Sequence, residues 1–278
     1  MGLKNPLYMT RFEHILVPFD GSKSSLVALR TALNVAGRFD TKVTAVYVKR
    51  IDDDKKADEV KEVIEKERTA SGRSILLMRP VGKMYKEVVK TVEEVGADVI
   101  IMGTHGISGF EEFWIGSNAF RVVSSSPVPV ITMQETFDKR SFEKIVAPID
   151  QSKDTRQKIP MVARLAKLFK AEVHLIGTTK YSDDESSSIV RRYMRQSLEL
   201  LDKEDVKPIV TYELGKNVAK TTLTYAKEQK ADLIVMMSES EPSSGFFMGS
   251  NAQQVVNHSD IPVLTLQPKE VGIAVTGY

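Results

Sequence analysis

Short apolar runs alternate with longer amphipathic stretches along this chain, and the alternation comes round twice. Ile15–Val17, Val43–Val48, Ile75–Met78, Val99–Met102 and Val128–Met133 are rich in Val, Ile and Leu and mostly continuous. Strands buried on both faces of a parallel sheet read this way. Between them, Leu26, Leu29, Leu33 and Ala36 recur at helical spacing after Ser22 and Ser24, either a fitting N-cap, and Gly37 reads as the stop signal. Val88, Val92 and Val95 precede Gly96 in the same manner. The charged segment 52–73 offers only Val60, Val63 and Ile64 as a narrow apolar stripe, which predicts a solvated outer helix. In the second half, Ile189, Tyr193 and Leu201 mark the corresponding helix. Strand–helix alternation of this kind predicts an α/β fold with open, doubly wound sheets.

The second half restates the first. His14-Ile-Leu-Val-Pro-Phe-Asp20 returns as Lys144-Ile-Val-Ala-Pro-Ile-Asp150, 130 positions later. Asp98–Met102 returns as Asp232–Met236, Gly116-Ser-Asn118 as Gly249-Ser-Asn251, and Val128–Met133 as Ile261–Leu266, at offsets of 134, 133 and 133. A period this long means duplicated domains, since solenoid units run about 20–50 residues. The polar stretch Gln134–Ser141 is the natural linker, giving expected domains 1–137 and 138–278. The last predicted strand of each half carries a proline, Pro129 or Pro262, which belongs at a sheet edge or a strand start. An exposed apolar edge invites pairing with another. The two last strands are therefore expected to meet, so that the chain forms its own pseudo-dimer.

Composition narrows the function classes. Lys and Arg number 39 against 37 Asp and Glu, a net charge of +2, too balanced for a nucleic-acid-binding surface. No basic block interleaved with aromatics occurs. With no cysteine, disulfides, thiol catalysis and Cys-ligated metal centres are excluded. No run reaches the roughly 18 apolar residues of a membrane-spanning helix, and the segment after Met1 has no apolar signal core. A cytoplasmic protein with no membrane partner is expected.

Ligands of open α/β sheets bind beyond the carboxyl ends of the strands, where strand order reverses. Two features of the first half fall there: Asp20 after the first strand, and the segment Met102–Asn118 after the fourth. That segment leaves the strand through Gly103 and Gly106, loops, and enters a helix at Gly116-Ser117-Asn118. Glycines permit close backbone approach, and successive N–H groups together with a helix N-terminus form a ready anion site. The same glycines also serve as turn residues, and Ser117 or Asn118 as a plain N-cap. The loop is neither a Walker A sequence nor a Gly-x-Gly-x-x-Gly dinucleotide turn.

Gly103-x2-Gly106-x9-Gly116-Ser117 is similar, without a gap, to the glycine signature of ATP-binding universal stress proteins. The resemblance spans essentially the whole chain, including Pro18-x-Asp20 and the Asp98–Gly103 entry into the loop. It implies two five-stranded parallel sheets of order 3-2-1-4-5 and an adenine nucleotide, ATP, with or without Mg²⁺, as ligand. By position it implies that Pro18, Phe19 and Asp20 border adenine and ribose, and that Val48, ending the second predicted strand, meets the adenine through its backbone. Met102 and Gly103 would lie under the ribose, and Gly106, Gly116, Ser117 and Asn118 would hold the phosphates. His105 has two open readings, a phosphate contact or a solvent-facing loop residue.

The second half departs from the signature. Ser238-Glu239-Ser240-Glu241 replaces Gly103–Gly106, and the spacing to Gly249 shortens. Two carboxylates in the path of a triphosphate predict no such site there. A nucleotide-responsive regulatory or stress-resistance factor is the function the resemblance implies. A slow ATPase and a non-catalytic interaction scaffold are the alternatives, and homo-oligomers are compatible with each. No catalytic residue stands out. The loop 106–115, with the sole tryptophan Trp114, is expected to order around bound phosphates.

Overall fold

The computed structural model describes residues 11–49, 54–104, 116–139, 141–238 and 248–268. The first half runs β1 His14–Pro18, α1 Lys23–Phe39, β2 Lys42–Val46, α2 Asp54–Ser71, β3 Leu76–Met78, α3 Met84–Val95, β4 Val99–Gly103, α4 Ser117–Ser125 and β5 Val130–Met133. The second runs β6 Lys144–Ile149, a 3₁₀ turn Thr155–Lys158, α5 Ile159–Phe169, β7 Glu172–Thr179, α6 Asp184–Asp202, β8 Ile209–Leu214, α7 Val218–Glu228, β9 Leu233–Met237, α8 Ser250–His258 and β10 Val263–Leu266.

All ten strands join one sheet in the order β3-β2-β1-β4-β5-β10-β9-β6-β7-β8, so each half has the expected 3-2-1-4-5 arrangement. Within the halves the pairing is parallel; at the seam β5 meets β10 antiparallel, with Ile131 opposite Leu264. Thr132 donates its hydroxyl to the Val263 carbonyl and Thr265 to that of Val130, a reciprocal pair at 3.3 Å across the seam. The prolines sit where a missing N–H costs nothing: Pro129 and Pro262 directly precede β5 and β10, and each carbonyl still accepts a bond from the neighbouring strand.

The aspartates that open the repeated Asp98 and Asp232 motifs are clasps. Asp98 accepts from the backbone N–H groups of Glu13 and His14, and Asp232 from those of Glu143 and Lys144. Each ties the start of its fourth strand to the start of its first.

Both apolar layers cross the seam. One layer packs α1, α2, α5 and α6 against the sheet and contains Phe12, Leu29, Ile64, Phe142, Phe169 and Met194. The other lies under α3, α4, α7 and α8. Phe39 and Phe169, equivalent by the repeat, meet edge to face at 5.7 Å, and Phe142 packs on Phe169 at 5.2 Å. Arg164 of α5 reaches into the first half, donating to the Arg11 carbonyl at 2.6 Å and lying over the Phe12 ring. Burial pushes the Arg164 pKa down and that of Asp98 up, and the mutual attraction of the two groups opposes both shifts.

Three local expectations are corrected. Gly37 does not stop α1, which continues to Phe39 and ends at Asp40 in a left-handed conformation, φ 51°. The second strand ends at Val46, so Val48 lies beyond it. The fifth strand begins at Val130, two residues after the start of its apolar run. Ser22, not Ser24, caps α1, and Gly96 ends α3 in the left-handed region as expected.

Candidate functional site

Strand order reverses at β1, which has β2 on one side and β4 on the other, and ligands of open α/β sheets bind in the crevice beyond the carboxyl ends at such a point. Pro18, the last residue of β1, is buried. Phe19 extends the pairing by donating its N–H to the Val46 carbonyl, and its ring is buried in the core. Only its backbone therefore faces the crevice rim. Asp20 turns the chain: its carboxylate accepts from the Ser22 N–H at 3.0 Å, Gly21 takes φ 81°, and Ser22 caps α1. Val48 is half-buried between Tyr47, bonded to Met78, and Lys49, bonded to Pro80. The Lys49 ammonium pairs with Asp54 and holds that exposed carboxyl below its usual range.

Met102 is buried in the layer beneath α3 and α4. At Gly103 the first turn of α1 closes on β4. A Cβ there would lie 2.4 Å from the Ser24 hydroxyl and 2.7 Å from its carbonyl carbon, so only glycine fits. Thr104 then donates to the Met133 carbonyl, and its own carbonyl accepts from the Gly116 N–H at 2.9 Å. The Thr104–Gly116 bond pins the start of α4 to the end of β4.

The N-cap of α4 is Gly116 and not Ser117 or Asn118, which are exposed positions in the first turn. Among the described residues no side chain caps this helix, nor α3, α5 or α8, whereas Ser22, Asp183 and Asn217 cap α1, α6 and α7. A helix start without a side-chain cap keeps its first N–H groups open to a ligand, at the positive end of its dipole. The expected site residues thus fall into two clusters around one crevice: Pro18, Asp20 and Val48 on the β1–β2 side, Met102, Gly103, Gly116, Ser117 and Asn118 on the β4–α4 side. His105, Gly106 and the loop with Trp114 lie outside the described residues, as do Glu239 and Glu241.

The second half keeps the frame and changes the filling. Asp150 accepts from the Ser152 N–H at 2.9 Å, Ser238 bonds to Leu266, and Gly249 bonds to Ser238 and caps α8 without a side chain. But strand pairing corrects the expected match: Met237 lies opposite Leu266 as Gly103 lies opposite Met133, so Met237 and not Ser238 stands where Gly103 stands, and it is buried. The helix after β6 starts late, after the 3₁₀ turn, and Lys158 is 2% exposed where the repeat places Ala28 in the first half. Its ammonium donates to the Thr155 carbonyl at 2.6 Å and hydroxyl at 3.0 Å. Sequence reasoning missed Ser24, Met237 and Lys158. The only available signal was the replacement of Gly103 by methionine at the 134-residue offset. Among the described residues no cluster of three or more His, Asp or Glu side chains is arranged to hold a metal. No described helix is long and apolar enough to cross a membrane.

A doubled α/β unit of order 3-2-1-4-5, with a glycine-capped helix facing the switch point, defines the structural class. The chain belongs to the universal stress protein family, whose model matches residues 11–133 and 141–267. Universal stress protein MJ0531 of Methanocaldococcus jannaschii is 30% identical over 141 residues, covering 45% of this chain and 83% of that protein. A universal stress protein from Archaeoglobus fulgidus shares the fold along 95% of this chain and 99% of its own, with TM-score 0.74 and 21% identity. One from Pseudomonas aeruginosa UCBPP-PA14 gives 0.72 and 17%, covering 95% of each chain.

Proposed function

We propose that this chain is a nucleotide-responsive regulatory protein of the cytoplasm that binds one ATP, in its first half. Because α8 starts in the same way but behind the buried Met237, the observation that carries the reading is Gly103 together with the start of α4, glycine-capped and pinned to β4 through Thr104 and Gly116. A polyphosphate supplies the acceptors that this helix start lacks, and the dipole favours its charge by about 0.3–1 kcal/mol, or up to ~2 kcal/mol where partly buried. Gly103 supports the reading too, because the close approach of α1 shapes the crevice floor. In this reading Asp20 takes the ribose hydroxyls, and the Val48 backbone borders the base. Pro18, Met102 and Gly103 form the walls, with the Phe19 backbone at the rim. Gly116, Ser117 and Asn118 donate to the phosphates, joined by His105 and Gly106 of the loop; Mg²⁺ would accompany the phosphates. The proposed domains are 1–137 and 138–278.

Calorimetric titration of the full chain with ATP tests this, with and without Mg²⁺. A stoichiometry near one per chain is expected, abolished by Gly116→Glu. Two sites per chain, or binding that survives that substitution, would contradict the proposal.

A further inference from the structure

The sheet has two free ends, and they are built differently. The β3 end is blunted: the strand has three residues and runs into Arg79-Pro80. Short edge strands, charges and prolines are how proteins prevent edge-to-edge pairing. The β8 end is also flanked by a charge and a proline, Lys207-Pro208, and carries Glu213, but its paired length is twice that of β3. It is six residues long, and Ile209, Val210 and Tyr212 are 46%, 39% and 38% exposed. Tyr212 leans over Gly177, where a Cβ would come within 2.7 Å of its ring, and Arg191 of α6 covers its other side. Thr211 points the opposite way and bonds the Tyr225 hydroxyl of α7. Both faces of the edge strand are thus held in place by side-chain contacts while its outer backbone has no strand partner among the described residues.

Beside this edge, α7 and the end of β8 enclose a cleft of about 440 Å³ lined by Glu213, Lys216, Lys220, Tyr225 and Glu228. Because α7 runs back against β8, the lysines and the glutamate that α7 and the turn before it present to the cleft are sorted by position, while Lys227 of α7 lies outside the lining. Lys216 and Lys220 lie at the carboxyl end of β8, and Glu228 lies toward the amino end. The strand repeats the arrangement with opposite sign, Lys207 before its start and Glu213 near its finish, where Glu213 also pairs with Lys216 at 2.7 Å. Such a surface is self-complementary under a two-fold axis: turned end for end, its basic groups face its acidic ones.

We propose that β8 is the docking edge for a second copy of this chain, pairing antiparallel with the partner's β8 about a two-fold axis at Val210. Lys207 then faces the other copy's Glu213 at both ends, and Ile209 faces Thr211. The two α7 helices flank the new seam, lysine end to glutamate end. The molecule already uses this solution internally, where β5 and β10 join its two halves antiparallel. The second seam continues the same sheet across two copies, and it does not depend on the nucleotide reading.

Sedimentation of the full chain at micromolar concentration tests the proposal, with dimer as the expected species. Lys207→Glu or Glu213→Lys alone should weaken dimerisation about tenfold, and the double charge swap should restore it. The chain has no cysteine, so Val210→Cys introduces a single thiol. Directly opposed residues of an antiparallel pair lie about 4.5–5.5 Å apart at Cα, within disulfide reach. Mild oxidation should therefore yield a covalent dimer from Val210→Cys and none from Leu76→Cys on the β3 edge. A chain that stays monomeric overturns the proposal and leaves β8 to an extended segment of another protein. A dimer indifferent to the charge changes, or cross-linking equally from Leu76→Cys, overturns it as well, because the interface then lies elsewhere.

Discussion

After β4 and after β9 the chain makes the same turn with different residues. In both places a backbone bond, Thr104 to Gly116 or Ser238 to Gly249, pins a glycine-capped helix to the strand end. What differs is the residue before the turn. Gly103 lets the first turn of α1 rest on β4, with Ser24 in the space a side chain would take. The buried Met237 brings a full side chain to the equivalent position, and in its half the helix after β6 starts later, through a 3₁₀ turn. The comparison separates two things usually read together: the frame of a ligand site, fixed by backbone bonds, and its volume, set by one side chain.

The largest test of that separation is Met237→Ala. Removing a buried methionine side chain should cost about 2–5 kcal/mol in urea unfolding, while ATP titration stays unchanged. A gain of second-half binding would mean that volume alone closes that site. Next in size is Gly103→Ala. The added methyl must displace the first turn of α1, at about 1–3 kcal/mol for overpacking, and titration should show ATP affinity falling about tenfold or more. Destabilisation without weaker binding would detach the crevice floor from the ligand.

A smaller effect separates the halves by pH. His14 is buried, its ring bonded to the Thr44 hydroxyl at 2.7 Å and to the Val95 carbonyl. Burial lowers its pKa, Lys42 adds to the fall and the Val95 bond opposes it. The unfolded chain then binds the proton more readily than the folded one. Stability is therefore unaffected above the ordinary histidine value of about 6.5 and falls as pH drops below it. The raised pKa of Asp98 works in the opposite sense at lower pH. Urea midpoints between about pH 7 and about pH 5 should decline in the parent, and His14→Gln should flatten that decline. The second half places Lys144 at this position, so a decline that survives His14→Gln would assign the effect to a different group.

The smallest expected difference is none between the halves. Asp40 and Lys170, equivalent by the repeat, end α1 and α5 with φ 51° and 54°. Replacing either by glycine should stabilise by up to about 1 kcal/mol. Unequal gains in thermal unfolding would show that the two helix ends are strained differently.

The fold was largely legible in the sequence because buried parallel strands read as apolar runs, and because the repeat supplied each pattern twice. The meeting of β5 and β10 followed from two prolines and the need to cover an apolar edge. Boundaries were less legible. Gly37 is a stop signal by composition, but packing of the helix end around Phe39 carries α1 past it. Val48 looked like strand because its apolar run continues, although the continuous ladder with β3 ends at Val46 and a single bridge, Lys49 to Val81, follows it. In the crevice, the glycine spacing pointed to Gly103 and Gly116. Their partners were invisible, since the contact of Gly103 with Ser24 joins residues 79 positions apart. Lys158 was invisible for a related reason: a lysine reads as surface until tertiary packing closes around it.

The seam between β5 and β10 has a consequence for how the two halves evolve and respond. They are covalently joined, so their association is intramolecular, with an effective concentration set by the short connection between Met133 and Lys144. Dilution cannot part them, and neither half can exchange its partner for an identical copy of itself. The half with Gly103 therefore stays opposite the half with Met237 in every chain. Within every chain the β5–β10 seam joins the same two unlike halves. On the proposed reading of one ATP site per chain, the seam fixes the ratio of binding to non-binding halves at one to one, whatever the protein concentration.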